Sequence, residues 1–180
     1  MQPRIIVLEG MRGSGKSLMA VKLDNALVGL GYKAGVAKWP RGEKPWEDMA
    51  EQLKHAQEDL VESGNFVIID RFHFTEAVMR VADKTEQYLD MLIKAVEMQF
   101  AIEAVGGITF WLNLPPSLAV ERVKARNDGR GLESPEVPFI WDNMMLAVLN
   151  SLNGPTSIKE INAGRSEVEV LEKIVKELMG

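Results

Sequence analysis

The stretch Gly10-Met11-Arg12-Gly13-Ser14-Gly15-Lys16-Ser17 sets three glycines, a lysine and a hydroxyl directly behind an apolar run. Arg4 to Glu9 is β-branched and apolar and reads as a buried strand. Lys16 to Leu30 carries apolar residues near helical spacing, and Gly31 stops it. The pattern G-x-x-x-x-G-K-[ST] therefore lies between a strand and a helix, the setting in which it has a mechanism. Glycines let successive amides turn inward around a phosphate, and the new helix adds its partly positive N-terminus. Lys16 reaches the β- and γ-phosphates and Ser17 ligates Mg²⁺. A turn so built holds the tail of a nucleotide.

Apolar stretches alternate with amphipathic ones along the rest of the chain. Strands are expected at Lys33 to Trp39, Phe66 to Asp70, Ile108 to Leu114 and Ser157 to Asn162. Between them, Pro45 opens a helix that keeps one apolar face to Val61 and ends at Ser63-Gly64. A helical region follows Thr75, and a long helix runs from about Thr85 to Val105. Another starts at Pro115-Pro116 and fades near Arg126, and one spans about Phe139 to Leu152. Ser166 and Glu169 have capping-box spacing for a last helix. Residues 127–138 are polar and rich in glycine and proline, the composition of a mobile loop. Such alternation predicts an α/β fold, a mostly parallel sheet covered on both faces, with ligands at the carboxyl ends of its strands. The 180 residues suit a single domain.

Composition narrows the function. There is no cysteine, and the two histidines are isolated, which excludes disulfides and a histidine-rich metal site. A net charge of −5 disfavours a duplex nucleic-acid binder. No apolar run reaches the roughly 18 residues of a membrane helix, and the first residues do not read as a signal peptide, so a cytoplasmic location is expected. Asp70 and Arg71 leave a buried strand on the same edge as the glycine-rich turn. A carboxylate there holds Mg²⁺ through water or accepts a hydroxyl proton, and an arginine grips a second phosphate with its two-pronged donor face.

The chain resembles the thymidylate kinase family of P-loop nucleoside monophosphate kinases, in pieces spread along nearly all of it. Val7 to Ser17 resembles that family's first strand and phosphate loop, including a glutamate-glycine pair. Trp39-Pro40-Arg41 resembles its aromatic and acceptor-phosphate arginine. Asp70 to Thr75, "DRFHFT", resembles its Asp-Arg-aromatic-x-x-Ser motif. Leu112 to Arg126 resembles the strand, double proline and helix leading into the lid, and Gly129 to Glu133 resembles the lid tip. Ile161 to Val170 resembles the loop that packs on adenine.

The resemblance implies a P-loop NTPase three-layer α/β/α sandwich with a five-stranded parallel sheet and a lid over about 126–138. It implies transfer of the ATP γ-phosphoryl to a deoxynucleoside monophosphate, with ATP and Mg²⁺ required and a homodimer possible. Gly10, Arg12, Gly13, Ser14, Gly15, Lys16, Ser17 and Leu18, with Arg122 and Ala163, would hold ATP; Ser17 and Asp70 would hold the metal. Arg41 and Arg71 would hold the acceptor phosphate, with Arg126 or Arg130 swinging in on the lid. Of the aromatics near the acceptor, Trp39 and Phe72 are expected to stack on its base, and Phe74 is a further candidate against a competing role in the core. His73 is expected to be a partly exposed neighbour rather than an acid or base.

Several features depart from that family's pattern. The third loop position is Arg12 where the family usually has a carboxylate that contacts the acceptor sugar, and an arginine there would neutralise phosphate instead. Trp39 to Asp70 is short, and Pro45 to Val61 contains no arginine. Two other readings stand beside the first: a deoxynucleoside kinase with Asp70 as base, and a nucleotide-binding switch. No Asn-Lys-x-Asp guanine reader is present for a guanine-specific switch.

Overall fold

A computed structural model of the chain describes residues 5–38, 44–63, 65–126, 136–150 and 155–180. Among them the chain alternates strand and helix. In order these are β1 (Ile5–Glu9), α1 (Lys16–Gly29), β2 (Ala34–Lys38), α2 (Pro45–Ser63), β3 (Phe66–Asp70) and α3 (His73–Ala82). Then follow α4 (Tyr88–Ala104), β4 (Ile108–Asn113), α5 (Pro116–Arg126), α6 (Val137–Leu149), β5 (Ile158–Asn162) and α7 (Glu167–Met179). The strands form one sheet in the order β2-β3-β1-β4-β5, and every pairing is parallel.

β1 sits at the centre, and all five of its residues are buried. A central parallel strand is covered on both faces, which is why it reads as an unbroken apolar run rather than an alternation. Ile6 and Leu8 face one side with Phe66 and Ile68 of β3, packing in the same cluster as Leu23 and Leu27 of α1 and Ile174 of α7. Ile5 and Val7 face the other with Ile69, against Met49 and Leu53 of α2 and Met98 and Ile102 of α4. The edge strands β2 and β5 alternate or expose their residues instead. No helix among the described residues is long and apolar enough to cross a membrane.

Three helix starts differ from the sequence reading. α3 begins at His73 rather than after Thr75, because its first amides find a carboxylate from β1, as described below. α4 begins at Tyr88, not Thr85: the Thr85 amide and hydroxyl both bond the Arg80 carbonyl, so Thr85 finishes the α3 turn. α6 starts at Val137, two residues early, with Pro138 in its first turn, where a missing amide hydrogen costs nothing.

The capping box at α7 forms. Ser166 Oγ accepts from the Glu169 amide, and the Glu169 carboxylate accepts from the Ser166 amide at 3.1 Å. α7 covers β5 and closes one side of the cleft described next. Replacing Ser166 with alanine is expected to lower unfolding stability by about 1 kcal/mol, measured by urea titration.

Candidate functional site

The turn after β1 is shaped by close approach to β4 and α5. A Cβ on Gly10 would stand 2.6 Å from the Leu112 carbonyl oxygen, and one on Gly13 would stand 2.8 Å from that of Ala119; both residues have positive φ. Only glycine fits these two places. Gly15 is the N-cap of α1 and offers no side-chain acceptor, so the first amides of the helix are left for a ligand. Lys16 is buried inside the turn. Its ammonium donates to the Gly10 carbonyl, to the Met11 carbonyl at 2.7 Å and to Ser14 Oγ at 3.3 Å. Ser17 and Leu18 face solvent on the first turn of α1, and Arg12 is half-buried.

A cleft of about 370 Å³ opens beside this turn. Gly13, Ser14, Gly15, Leu18, Arg122 and Ala163, six of the residues expected to hold a nucleotide, line it together. They come from three distant parts of the chain. The Ala163 amide bonds the Asn113 carbonyl at 2.7 Å, which fixes the loop after β5 to the end of β4. The cleft also takes in Met19, Arg165, Ser166, Glu167 and Val170; the last four lie in the stretch Ile161 to Val170 likened to an adenine-packing loop, of which only Ala163 was singled out as a nucleotide contact. Arg165 was within reach of that reading, since it follows Ala163 by two residues in the same loop.

On the other side of β1, the turn after β3 carries Asp70 and Arg71. Arg71 has φ 71°, a left-handed backbone that is uncommon for a residue with a side chain. Such conformations cost about 1–3 kcal/mol and persist where neighbours hold them. Here the Arg71 amide donates to the Leu8 carbonyl at 3.1 Å. Asp70 pairs with Leu8 in the β3 register and so shares the face of α1. Its Oδ1 is buried and has no hydrogen-bond partner among the described residues. An orphaned acceptor on the side of α1, whose first turn carries Ser17, fits a cation held through water. No group of three or more His, Cys, Asp or Glu side chains capable of caging a metal exists among the described residues. The buried Asp70 oxygen would suit a hard ion such as Mg²⁺, which takes one or two protein oxygens and completes its shell with water and phosphate.

Glu9 and His73 were not recognised as site components. Glu9 is fully buried, and its Oε1 accepts from the amides of Phe72, Phe74 and Thr75 at 3.1, 2.9 and 3.3 Å. Its Oε2 accepts from the Thr75 hydroxyl at 2.5 Å. Burial raises the pKa of this carboxyl, opposed by the Thr75 hydroxyl, the Lys16 charge and the helix amides. His73 is closed from solvent rather than partly exposed, which corrects the sequence expectation. Burial drives its imidazole from the ordinary 6.5 down to about 3, with Gln99 opposing.

The aromatics also need correction. Phe72 and Phe74 are both 0% exposed: Phe72 packs with Ile69, Met98 and Ile102, and Phe74 joins the cluster of Leu8 and Phe110. Neither ring has a face left for a base. Trp39, Arg41 and Arg130 lie outside the described residues, as does the Arg126 side chain.

No family model matches the chain. Among curated proteins, the thymidylate kinase of Buchnera aphidicola subsp. Baizongia pistaciae is 24% identical, over 90% of this chain and 88% of that protein. That of Leptospira interrogans serovar Lai is 27% identical over 72% of each, and a probable thymidylate kinase of Archaeoglobus fulgidus is 29% identical over 68% and 70%. Among solved structures, the YorR protein of Bacillus subtilis, in complex with phosphorylated GDP, superimposes with a TM-score of 0.66 at 21% identity. It covers 97% of this chain and 95% of its own. A deoxyadenosine kinase from M. mycoides gives 0.56 at 18% identity, over 97% and 98%. Both likenesses bear on the fold, which is the P-loop nucleotide kinase fold.

His73 supplies a check on the buried side of the site. Its folded pKa lies below the unfolded value of 6.5, so the stability it contributes is complete above pH 6.5 and is lost as pH falls towards 3. The imidazole is expected to stay neutral from pH 8 to 5 in NMR titration. Unfolding free energy is expected to fall by up to about 1.4 kcal/mol per pH unit on acidification through this group, a slope absent from His73→Gln.

Proposed function

We propose that this thymidylate kinase-like chain transfers the γ-phosphoryl group of ATP to a deoxynucleoside monophosphate, with dTMP the first acceptor to try. The observation that carries the reading is the meeting of two anion-binding turns at the carboxyl ends of adjacent strands. The phosphate loop follows β1, and the strained Asp70-Arg71 turn follows β3, tied to β1 through Leu8. The curated relatives described above, named thymidylate kinase or probable thymidylate kinase, support the same reaction.

In this reading the whole chain is one kinase domain, with a lid over about 126–138. The amides of the loop and Lys16 hold the transferring end of ATP, and its base enters the cleft between Leu18, Arg122 and Ala163. Ser17 and Asp70 would hold Mg²⁺, which neutralises charge on the polyphosphate. Arg71, with Arg41, holds the acceptor phosphate. Arg126 or Arg130 completes the cationic ring and excludes water, and Arg12 can share that task. Phosphoryl transfer needs little covalent help from protein, so alignment and cancellation of negative charge are the catalysis. The reading includes a homodimer through α4, whose Leu89, Ile93 and Phe100 lie exposed at helical spacing.

A coupled assay of ADP release against the deoxy- and ribonucleoside monophosphates, with thymidine alongside, tests the reading directly. Turnover with a monophosphate and none with thymidine is expected; turnover with thymidine alone would replace it with a nucleoside kinase. Lys16→Ala is expected to cut kcat by about 100-fold or more while the protein still folds. Arg71→Ala is expected to raise the acceptor KM by about 10- to 100-fold, with little change in the ATP KM.

A further inference from the structure

Glu9 is the last residue of β1 and the one before Gly10, where the phosphate loop begins. Its side chain lies on the face of Ile5 and Val7, and its two oxygens take the amides of Phe72, Phe74 and Thr75 and the Thr75 hydroxyl. These are the leading donors of α3, whose own N-cap, Phe72, offers no side-chain acceptor. A local cap would serve the helix as well, as Ser166 does for α7, and would avoid a carboxylate with no exposed surface. What the distant cap adds is a link. The Arg71 amide is held by the Leu8 carbonyl and the next amide, that of Phe72, by Glu9, so the turn that carries Asp70 and Arg71 is tied at successive positions to the two residues that precede Gly10. The left-handed backbone of Arg71 requires such holding.

We propose that Glu9 is a positioning residue that locks the Asp70-Arg71 turn to the start of the phosphate loop, so that the acceptor phosphate stands in line with the transferring group. This rests on the phosphotransfer reading above. The other chemistry open to a carboxylate here is that of a general base. A base must come within hydrogen-bond reach of the proton it takes. Both Glu9 oxygens are already committed, and the charged or titratable groups that bear on them, His73 at 3.7 Å and Lys16, are themselves buried.

Glu9→Gln and Glu9→Asp separate the two roles. Glutamine keeps an oxygen at the same reach for the three amides, and its NH₂ can donate to a Thr75 hydroxyl that has turned to accept. Aspartate is one methylene too short. The measurements are kcat/KM for the best acceptor of the monophosphate panel and ATP affinity by titration with a fluorescent ATP analogue. The expected order is glutamine within about 10-fold of wild type and aspartate lower by about 100-fold, with ATP affinity unchanged in both. The reverse order, aspartate active and glutamine dead, marks a base and overturns the proposal. A parallel loss of ATP affinity and acceptor turnover marks a residue needed only for folding, and overturns it too. If the aspartate variant does not fold, Thr75→Val deletes the hydroxyl bond to Oε2, one of the four bonds Glu9 accepts from this segment, and is expected to raise the acceptor KM alone; an unchanged KM is then decisive against the link. A wild-type protein that phosphorylates no monophosphate removes the reading of function itself, whereas active wild type with unaffected Glu9 variants removes only this proposal.

Discussion

β1 runs between β3 and β4, and the chain that leaves it turns one way towards α1 and β2 while the chain leaving β4 turns the other way towards α5 and β5. A crevice must open at the carboxyl end where these paths part. The glycine-rich turn occupies that crevice, pressed so close to Leu112 and Ala119 that side chains are excluded at Gly10 and Gly13. Every other component takes its place from this one. α1 starts where the turn ends, the cleft with Arg122 and Ala163 lies on the β4 side, and the Asp70-Arg71 turn lies on the β3 side. In the proposed reaction the sheet order would separate a donor half from an acceptor half, with the central strand as their common wall.

An acidic chain can still present a cationic site, as the proposed reaction requires. The net charge is −5, yet Arg12, Lys16, Arg71 and Arg165 come from turns and helix starts at one end of the sheet, and Arg122 joins them from α5. Two carboxylates at this end of the sheet are taken up by other groups. Glu9 is occupied by helix amides, and Glu167 pairs with Lys22 across α1 and α7 at 2.5 Å. Field at the cleft is set by arrangement rather than by the total.

What was readable in the sequence is what is encoded locally. The phosphate loop, the strand cores, the Pro45 helix start and the Ser166–Glu169 box each depend on residues a few positions apart, and each formed as expected. Six nucleotide-cleft residues named from the sequence line one cleft. The failures share a cause. The start of α3 was misjudged because its cap comes from Glu9, 63 residues before Phe72 in the chain. Phe72 and His73 sit beside motif positions, and adjacency to a motif says nothing about which way a side chain packs; both turned inward. Burial of that kind is decided by α4, whose Met98 and Gln99 have no sequence relation to the motif.

Lys16 has a further consequence. Its ammonium is already solvated by the loop's own oxygens, two carbonyls and the Ser14 hydroxyl. A polyphosphate arriving there would not meet a bare cation; it would displace neutral oxygens already bonded to the lysine, and the same oxygens could take it back when the product leaves. Grip would thereby be traded for exchange, as the proposed phosphoryl transfer asks of a loop that releases its product after every turnover.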